Sequence, residues 1–246
     1  YYIGKTEKEK DWMIKMKICG FQKTTLLDYP GHVAATIFLG LCNFRCPFCH
    51  NGELLTEDAE EMFSMEEVLE VLKKRASLLE GVCITGGEPT LSADLELLIR
   101  QIKELGLLVK LDTNGYRPDV IRRLQGERLL DYIAMDIKSS PENYAMVAGV
   151  PHINTHTISE SIDFIRSCGV PYEFRTTAVK GLHTEEDFAE IGKWISGAER
   201  YFIQNYVESD RVLSPGFSGF RKDELLAFAD IVRPWVGEVS LRGVDY

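Results

Sequence analysis

The sequence predicts an α/β fold, a partial (β/α)6 barrel of the TIM type. Three observations lead there. Apolar, β-branched runs alternate with amphipathic segments six times between residues 32 and 236, the rhythm of a parallel sheet with right-handed crossovers. No composition break or Ser/Gly-rich linker divides the six units. Polar clusters fall at or just after four successive strands, and in a barrel those strand ends converge on one face. A doubly wound sheet would group its site at fewer strand ends, around its switch point.

The elements follow in order. "HVAATIFLG" (32–40) is apolar and β-branched, a buried strand. "SMEEVLEVLKKRASLL" (64–79) has helical spacing, with Ser64 and Glu67 placed for a capping box. "GVCITGG" (81–87) is a short strand, and "SADLELLIRQIKELG" (92–106) a helix stopped by Gly106. Strand 107–115, helix 118–129, strand 130–140 and helix 158–169 come next. Strand 172–181, helix 184–198, strand 201–207 and helix 221–236 complete the series. Residues 1–16 are expected to be an N-terminal extension, and 17–246 a single domain.

Composition narrows the function. The 246 residues carry a formal net charge of -10, which argues against binding a bare nucleic-acid backbone. No apolar run reaches the ~18 residues of a membrane span, and no signal peptide is visible, so a cytoplasmic location is expected. The six cysteines are three bunched and three scattered, unlike a disulfide framework. Cys19, Cys83 and Cys168 are isolated and read as structural thiols.

The bunched three are Cys42, Cys46 and Cys49, in "GLCNFRCPFCHN" (40–51). Thiolates at this density hold zinc or an iron–sulfur cluster. Zinc in a closed structural site needs a fourth ligand, and His50 is the nearby candidate. A three-cysteine [4Fe–4S] cluster instead leaves one iron open. "TGGEPT" (85–90) offers Gly86 and Gly87 for close backbone approach, then Glu88. "LDTNG" supplies Asp112 and Thr113. "MDIK" supplies Asp136, which follows an apolar run and needs a partner; Lys138 falls on the same side of the strand.

C-x3-C-x2-C with an aromatic residue, Phe48, before the last cysteine resembles the signature of the radical S-adenosylmethionine (SAM) enzymes. That resemblance implies a [4Fe–4S] cluster on Cys42, Cys46 and Cys49 whose open iron binds SAM. It also implies reductive cleavage of SAM to a 5′-deoxyadenosyl radical. "TGGEPT" resembles the family motif that meets the methionyl amino group. "LDTNG", "MDIK", "EFRTT" and "VKGLHTEED" resemble segments of the glycyl-radical-enzyme activating type, including the pyruvate formate-lyase activator. In that type Asp112, Thr113 and Asp136, with the Ala134 carbonyl, would form a site for Na+ or K+. Lys138 and Arg175 would contact polar parts of SAM; a structural ion pair is the other reading of Arg175. Phe48 would shield the cluster or pack near adenine, and His50 would hydrogen-bond around it. The segment "GFQKTTLLDYPG" is similar to activating proteins of anaerobic ribonucleotide reductase.

The resemblance therefore implies a glycyl radical enzyme as partner and a flavodoxin- or ferredoxin-type electron donor. Tyr29 stands where those activators commonly have Gly. The sixth strand offers Gln204 and Asn205 where they can carry a His. Two other readings stay open: the same radical chemistry on a small molecule, peptide or RNA base, and a zinc-stabilised binding module. The loop 208–220 is expected to be a lid, a docking surface or a plain connection.

Overall fold

The computed structural model describes residues 15–244. Eight strands form one sheet in chain order: β1 (Ile18–Thr25), β2 (Ala34–Leu39), β3 (Gly81–Gly86), β4 (Leu108–Thr113), β5 (Tyr132–Asp136), β6 (Tyr172–Ala178), β7 (Arg200–Asn205) and β8 (Glu238–Arg242). β2 to β8 pair in parallel, and β1 runs antiparallel to β2. The connections carry α1 (Met65–Arg75), α2 (Leu95–Glu104), α3 (Pro118–Gly126), α4 (Tyr144–Ala148), α5 (Thr155–Ser167), α6 (Glu185–Trp194) and α7 (Lys222–Val232).

The six predicted strand–helix units are β2 to β7 with their crossovers. Sequence rhythm does not reveal the two edge strands. β1 alternates poorly, with Gln22, Lys23 and Thr24 exposed, and β8 is a five-residue half-buried segment. Edge strands bury little and carry a weak periodic signal. The predicted capping box on α1 is present: Ser64 Oγ accepts from Glu67 N at 3.2 Å, and Ser64 N donates to Glu67 Oε2 at 2.8 Å. α5 starts earlier than predicted because the Asn154 side chain caps it, accepting from His156 N at 3.1 Å.

The two faces of the sheet differ in kind. Residues such as Val109, Leu111, Ile133, Met135 and Phe174 lie in the main apolar core and face the helices. Alternate positions on the same strands carry Lys110, Asp112, Asp136, Glu173 and Arg175, which pair with one another on the opposite, concave side. The sheet curls enough for Tyr29, in the β1–β2 turn, to meet Tyr132 of β5 at 5.8 Å between ring centroids. β2 and β5 would stand about 14 Å apart in a flat sheet. Tyr29, Ala34, Tyr132 and Ala134 form a separate small core inside the curve.

Residues 1–14 of the expected extension lie outside the described residues; Met16 packs into the main core. Among the described residues no helix is long and apolar enough to cross a membrane.

Candidate active site

The carboxyl-terminal ends of the strands enclose a cleft of about 260 Å³. Its wall includes Cys42, Cys46, Phe48, Cys49 and His50 from the loop after β2, and Gly86 and Gly87 from β3. Asp112 and Thr113 come from β4, Asp136 and Lys138 from β5, Arg175 from β6 and Gln204 from β7. Twelve of the thirteen sequence-predicted site residues line this single cleft. The thirteenth, Glu88, does not.

The cysteine loop is held from three sides. Leu41 N donates to Leu54 O at 2.6 Å, and Arg45 N to Ala148 O of α4 at 2.9 Å. The loop 208–220 supplies the third support: Leu213 N donates to Cys49 O at 3.0 Å and Ser214 N to Pro47 O at 2.8 Å. That loop buttresses the cysteines. Asn205 anchors its far end, exchanging hydrogen bonds with the Phe220 backbone at 3.0 and 2.9 Å.

All six cysteines are free thiols. Burial pushes the Cys42 thiol up to about 12; the negative charge of Glu88 adds to this, and the hydrogen bond from Phe44 N opposes it. Burial likewise pushes Cys46 up to about 11, against the attraction of Lys138. Both are therefore protonated in the metal-free chain and become ligands by giving their protons up to an incoming metal. Cys83, expected as a structural thiol, is buried beside Lys110, whose Nζ lies 3.7 Å from its sulfur.

The glycines of "TGGEPT" act differently from the sequence reading. A Cβ on Gly87 would stand 2.0 Å from Leu41 O, and one on Gly86 2.3 Å from Leu39 O. Their smallness lets the end of β3 seat against β2 and the start of the cysteine loop, so that the close approach is made by the protein's own backbone. Asn51 ties the same join, donating from Nδ2 to Gly86 O at 3.0 Å. The Glu88 carboxylate is fully buried behind the cleft. It accepts from Thr90 N (3.1 Å), Thr90 Oγ1, Thr113 Oγ1 (2.7 Å) and Asn114 N (2.6 Å). It stitches the ends of β3 and β4 together.

The opposite wall is an ionic ladder. Arg175 donates from Nε to Asp136 Oδ1 at 2.8 Å and from one terminal nitrogen to Asp112 Oδ2 at 3.2 Å. Lys110 pairs with the other Asp112 oxygen, and Lys138 with Asp136 Oδ2 at 3.0 Å. Burial alone would raise both aspartates; Arg175 and then the lysines overcome it and hold both carboxyls below the usual carboxylate range. Burial opposes the charge of Lys138 too, and Asp136 outweighs it. Deeper, Glu173 takes both Arg242 nitrogens at 2.8 and 2.9 Å and the Tyr132 hydroxyl at 2.9 Å. Asp112 and Asp136 thus have protein cations on all four oxygens, and Thr113 Oγ1 is occupied by Glu88 and Gly115 N. Lysine and arginine thus stand beside the carboxylates expected to bind Na+ or K+.

Phe48 is buried edge-on to His183 and Tyr206, at 6.4 and 6.5 Å. His50 lies tilted against Tyr206 at 5.3 Å between ring centroids, and its Nε2 lies 2.6 Å from Val207 O. Sequence reading misses Lys110, Glu173 and His183. The first two stand two residues from a predicted aspartate or arginine on the same strand face, a signal strand alternation could have supplied. His183 is buried in a loop, with Nε2 2.8 Å from Lys138 O and Nδ1 accepting from Val179 N at 3.2 Å. It falls within "VKGLHTEED", a segment covered by the resemblance, which assigns it no role.

A curled parallel sheet with three thiols, a glycine-packed strand end and a ladder of ion pairs at one cleft defines a class. Residues 36–195 match the profile of the Radical SAM superfamily, and the chain belongs to that family. A Methanocaldococcus jannaschii protein, provisionally named a glycyl-radical enzyme activating enzyme, is 31% identical over 239 residues, covering 94% of this chain and 98% of that one. The GTP 3′,8-cyclase of Staphylococcus aureus is 26% identical over 157 residues, 59% of this chain and 45% of its own. Among solved structures, Streptococcus suis SuiB bound to its precursor peptide SuiA superposes with a TM-score of 0.64 at 16% identity, over 82% of this chain and 47% of that chain. At that identity the likeness shows the fold.

Proposed function

We propose that this protein installs a glycyl radical on a partner protein, with anaerobic ribonucleotide reductase the first candidate. The observation that carries the proposal is the make-up of one cleft. The cleft brings together three free thiols and the Lys138 and Arg175 cations, which are paired with Asp136 and Asp112. The donor set fits the family's cofactors. Cys42, Cys46 and Cys49 would hold a [4Fe–4S] cluster, and three thiolates leave one iron for an exogenous ligand. When bound, the cluster supplies the electron that splits SAM to a 5′-deoxyadenosyl radical.

The chain's own residues do the rest. Lys138 and Arg175 attract a carboxylate to the β5–β6 side of the cleft. Carbonyls at the end of β3 accept from an ammonium. Phe48 and Leu55 supply apolar wall, and the enclosing strand ends restrict water around a reactive carbon radical. The relative named as an activating enzyme aligns over nearly its whole length, which supports a protein substrate over a small molecule. A zinc-stabilised module needs donors gathered on one ion. The nearby candidate for a fourth donor, His50, has its Nε2 2.6 Å from Val207 O.

The test is anaerobic reconstitution with iron and sulfide, then dithionite, SAM and the candidate reductase. A glycyl-radical signal in the reductase, with 5′-deoxyadenosine formed, is the expected result. Deoxyadenosine without the signal would remove this partner and leave the small-molecule, peptide and RNA-base readings. A protein that takes up one zinc and cleaves no SAM would remove the proposal.

A further inference from the structure

Asn114 follows β4 directly, lines the cleft and is buried. Its backbone N–H donates to Glu88 Oε2 at 2.6 Å. Its side-chain amide is fixed in orientation: Oδ1 accepts from Tyr116 N at 3.0 Å, and Nδ2 donates to Asn43 Oδ1 at 2.8 Å. The residue is therefore held by Glu88, by its own turn and by the cysteine loop. An amide nitrogen carries two N–H groups. One goes to Asn43, which leaves the second for Cys42 Sγ, 4.0 Å from the same nitrogen.

The Cys42 sulfur changes character when it takes a metal. As a thiol it is itself a donor, with Asn43 Oδ1 4.0 Å away, and it accepts from Phe44 N at 3.3 Å. Metal binding removes the thiol proton, so the contact in which sulfur donates to Asn43 is lost. A thiolate only accepts, and it accepts more strongly than a thiol. Two N–H groups then face it, the Phe44 amide and Asn114 Nδ2. The first belongs to the cysteine loop and moves with it. The second comes from β4, on a side chain whose other bonds are already made in the metal-free chain.

We propose that Asn114 is a positioning residue for the cluster, donating its second Nδ2–H to the sulfur of Cys42 when that sulfur is bound to iron. The inference rests on the cluster reading above. A donor to a ligating sulfur favours the more negative, reduced form and so raises the reduction potential.

Wild type, Asn114→Ala, Asn114→Leu and Asn43→Ala are reconstituted anaerobically and assayed for iron. Each is then titrated electrochemically without SAM, following the EPR signal of the reduced cluster. Leucine fills the space of the amide without its N–H groups, so a loop loosened by alanine does not close the question. In both Asn114 variants the equilibrium constant for one-electron reduction falls roughly threefold, or about 28 mV more negative. Asn43→Ala is the control: it removes the 2.8 Å bond between the two amides and leaves Nδ2 free for the sulfur. Its potential stays at the wild-type value. Unchanged potentials in the Asn114 variants at wild-type iron content overturn the inference and leave the cluster reading standing. An equal shift in Asn43→Ala overturns it too, because the tie between loop and strand would then set the potential. If neither Asn114 variant takes up iron while Asn43→Ala does, the residue's role is structural and the inference falls. Wild type that binds no cluster overturns the reading on which it rests.

Discussion

Replacing Arg175 by methionine removes the one side chain that bridges the two aspartates of the cleft. Its guanidinium is 16% exposed and bonds Asp136 at 2.8 Å and Asp112 at 3.2 Å. Breaking a buried ion pair from one side costs about 3–5 kcal/mol, because the surviving charge is left desolvated. Two features reduce this here. Each aspartate keeps a lysine, and Asp136 is one-third exposed, so about 2–4 kcal/mol remains. For a chain of this size that is a fall in melting temperature of about 4–16 °C.

The acid limb gives the sign. Asp112 and Asp136 have folded-state pKa values below their unfolded ones. Their contribution is therefore present above about pH 4 and is lost as pH falls toward the depressed values. Without Arg175 both values rise, and the acid loss of stability begins at higher pH. The assay is a set of thermal melts of metal-free wild type and Arg175→Met from pH 7 to pH 3. Melting within about 2 °C of wild type at pH 7, with an unshifted acid limb, would refute the ladder as a stabilising network. Arg175→Lys recovers only part of the loss, because one ammonium lacks the fork that reaches both carboxylates.

Three further changes test other joints of the site. Gly87→Ala drives a Cβ into the Leu41 carbonyl; it should abolish iron uptake by the cysteine loop and lower the melting temperature, as iron analysis and calorimetry would show. Glu88→Gln turns an NH2 group toward donors that all point at the carboxylate. It should cost about 1–3 kcal/mol in denaturant unfolding, whereas an unchanged midpoint would mean the carboxyl is already protonated. Arg242→Ala leaves Glu173, 1% exposed, without its bidentate partner. A loss of about 3 kcal/mol is expected, with faster amide exchange in β8, and exchange unchanged in β8 would show that the strand is held by its backbone alone.

The fold was legible because each of its six units announces itself locally. An apolar run such as "HVAATIF" and a capped amphipathic segment such as the one beginning at Ser64 need only near neighbours to be recognised. β1 and β8 were not, since a half-exposed edge strand lacks a periodic apolar face. The cleft residues were legible as motifs, and the structure gathers all but Glu88 onto one wall or another.

Their roles divided differently. Cysteine spacing marked three thiols that a metal or cluster could use, because three thiols within eight residues stay neighbours in any compact loop; iron was implied by the resemblance. What Glu88 and the aspartates do was decided only by the tertiary structure. A carboxylate's role depends on which donors and cations reach it, and here those partners, Asn114 for Glu88 and Arg175 for both aspartates, come from other strands.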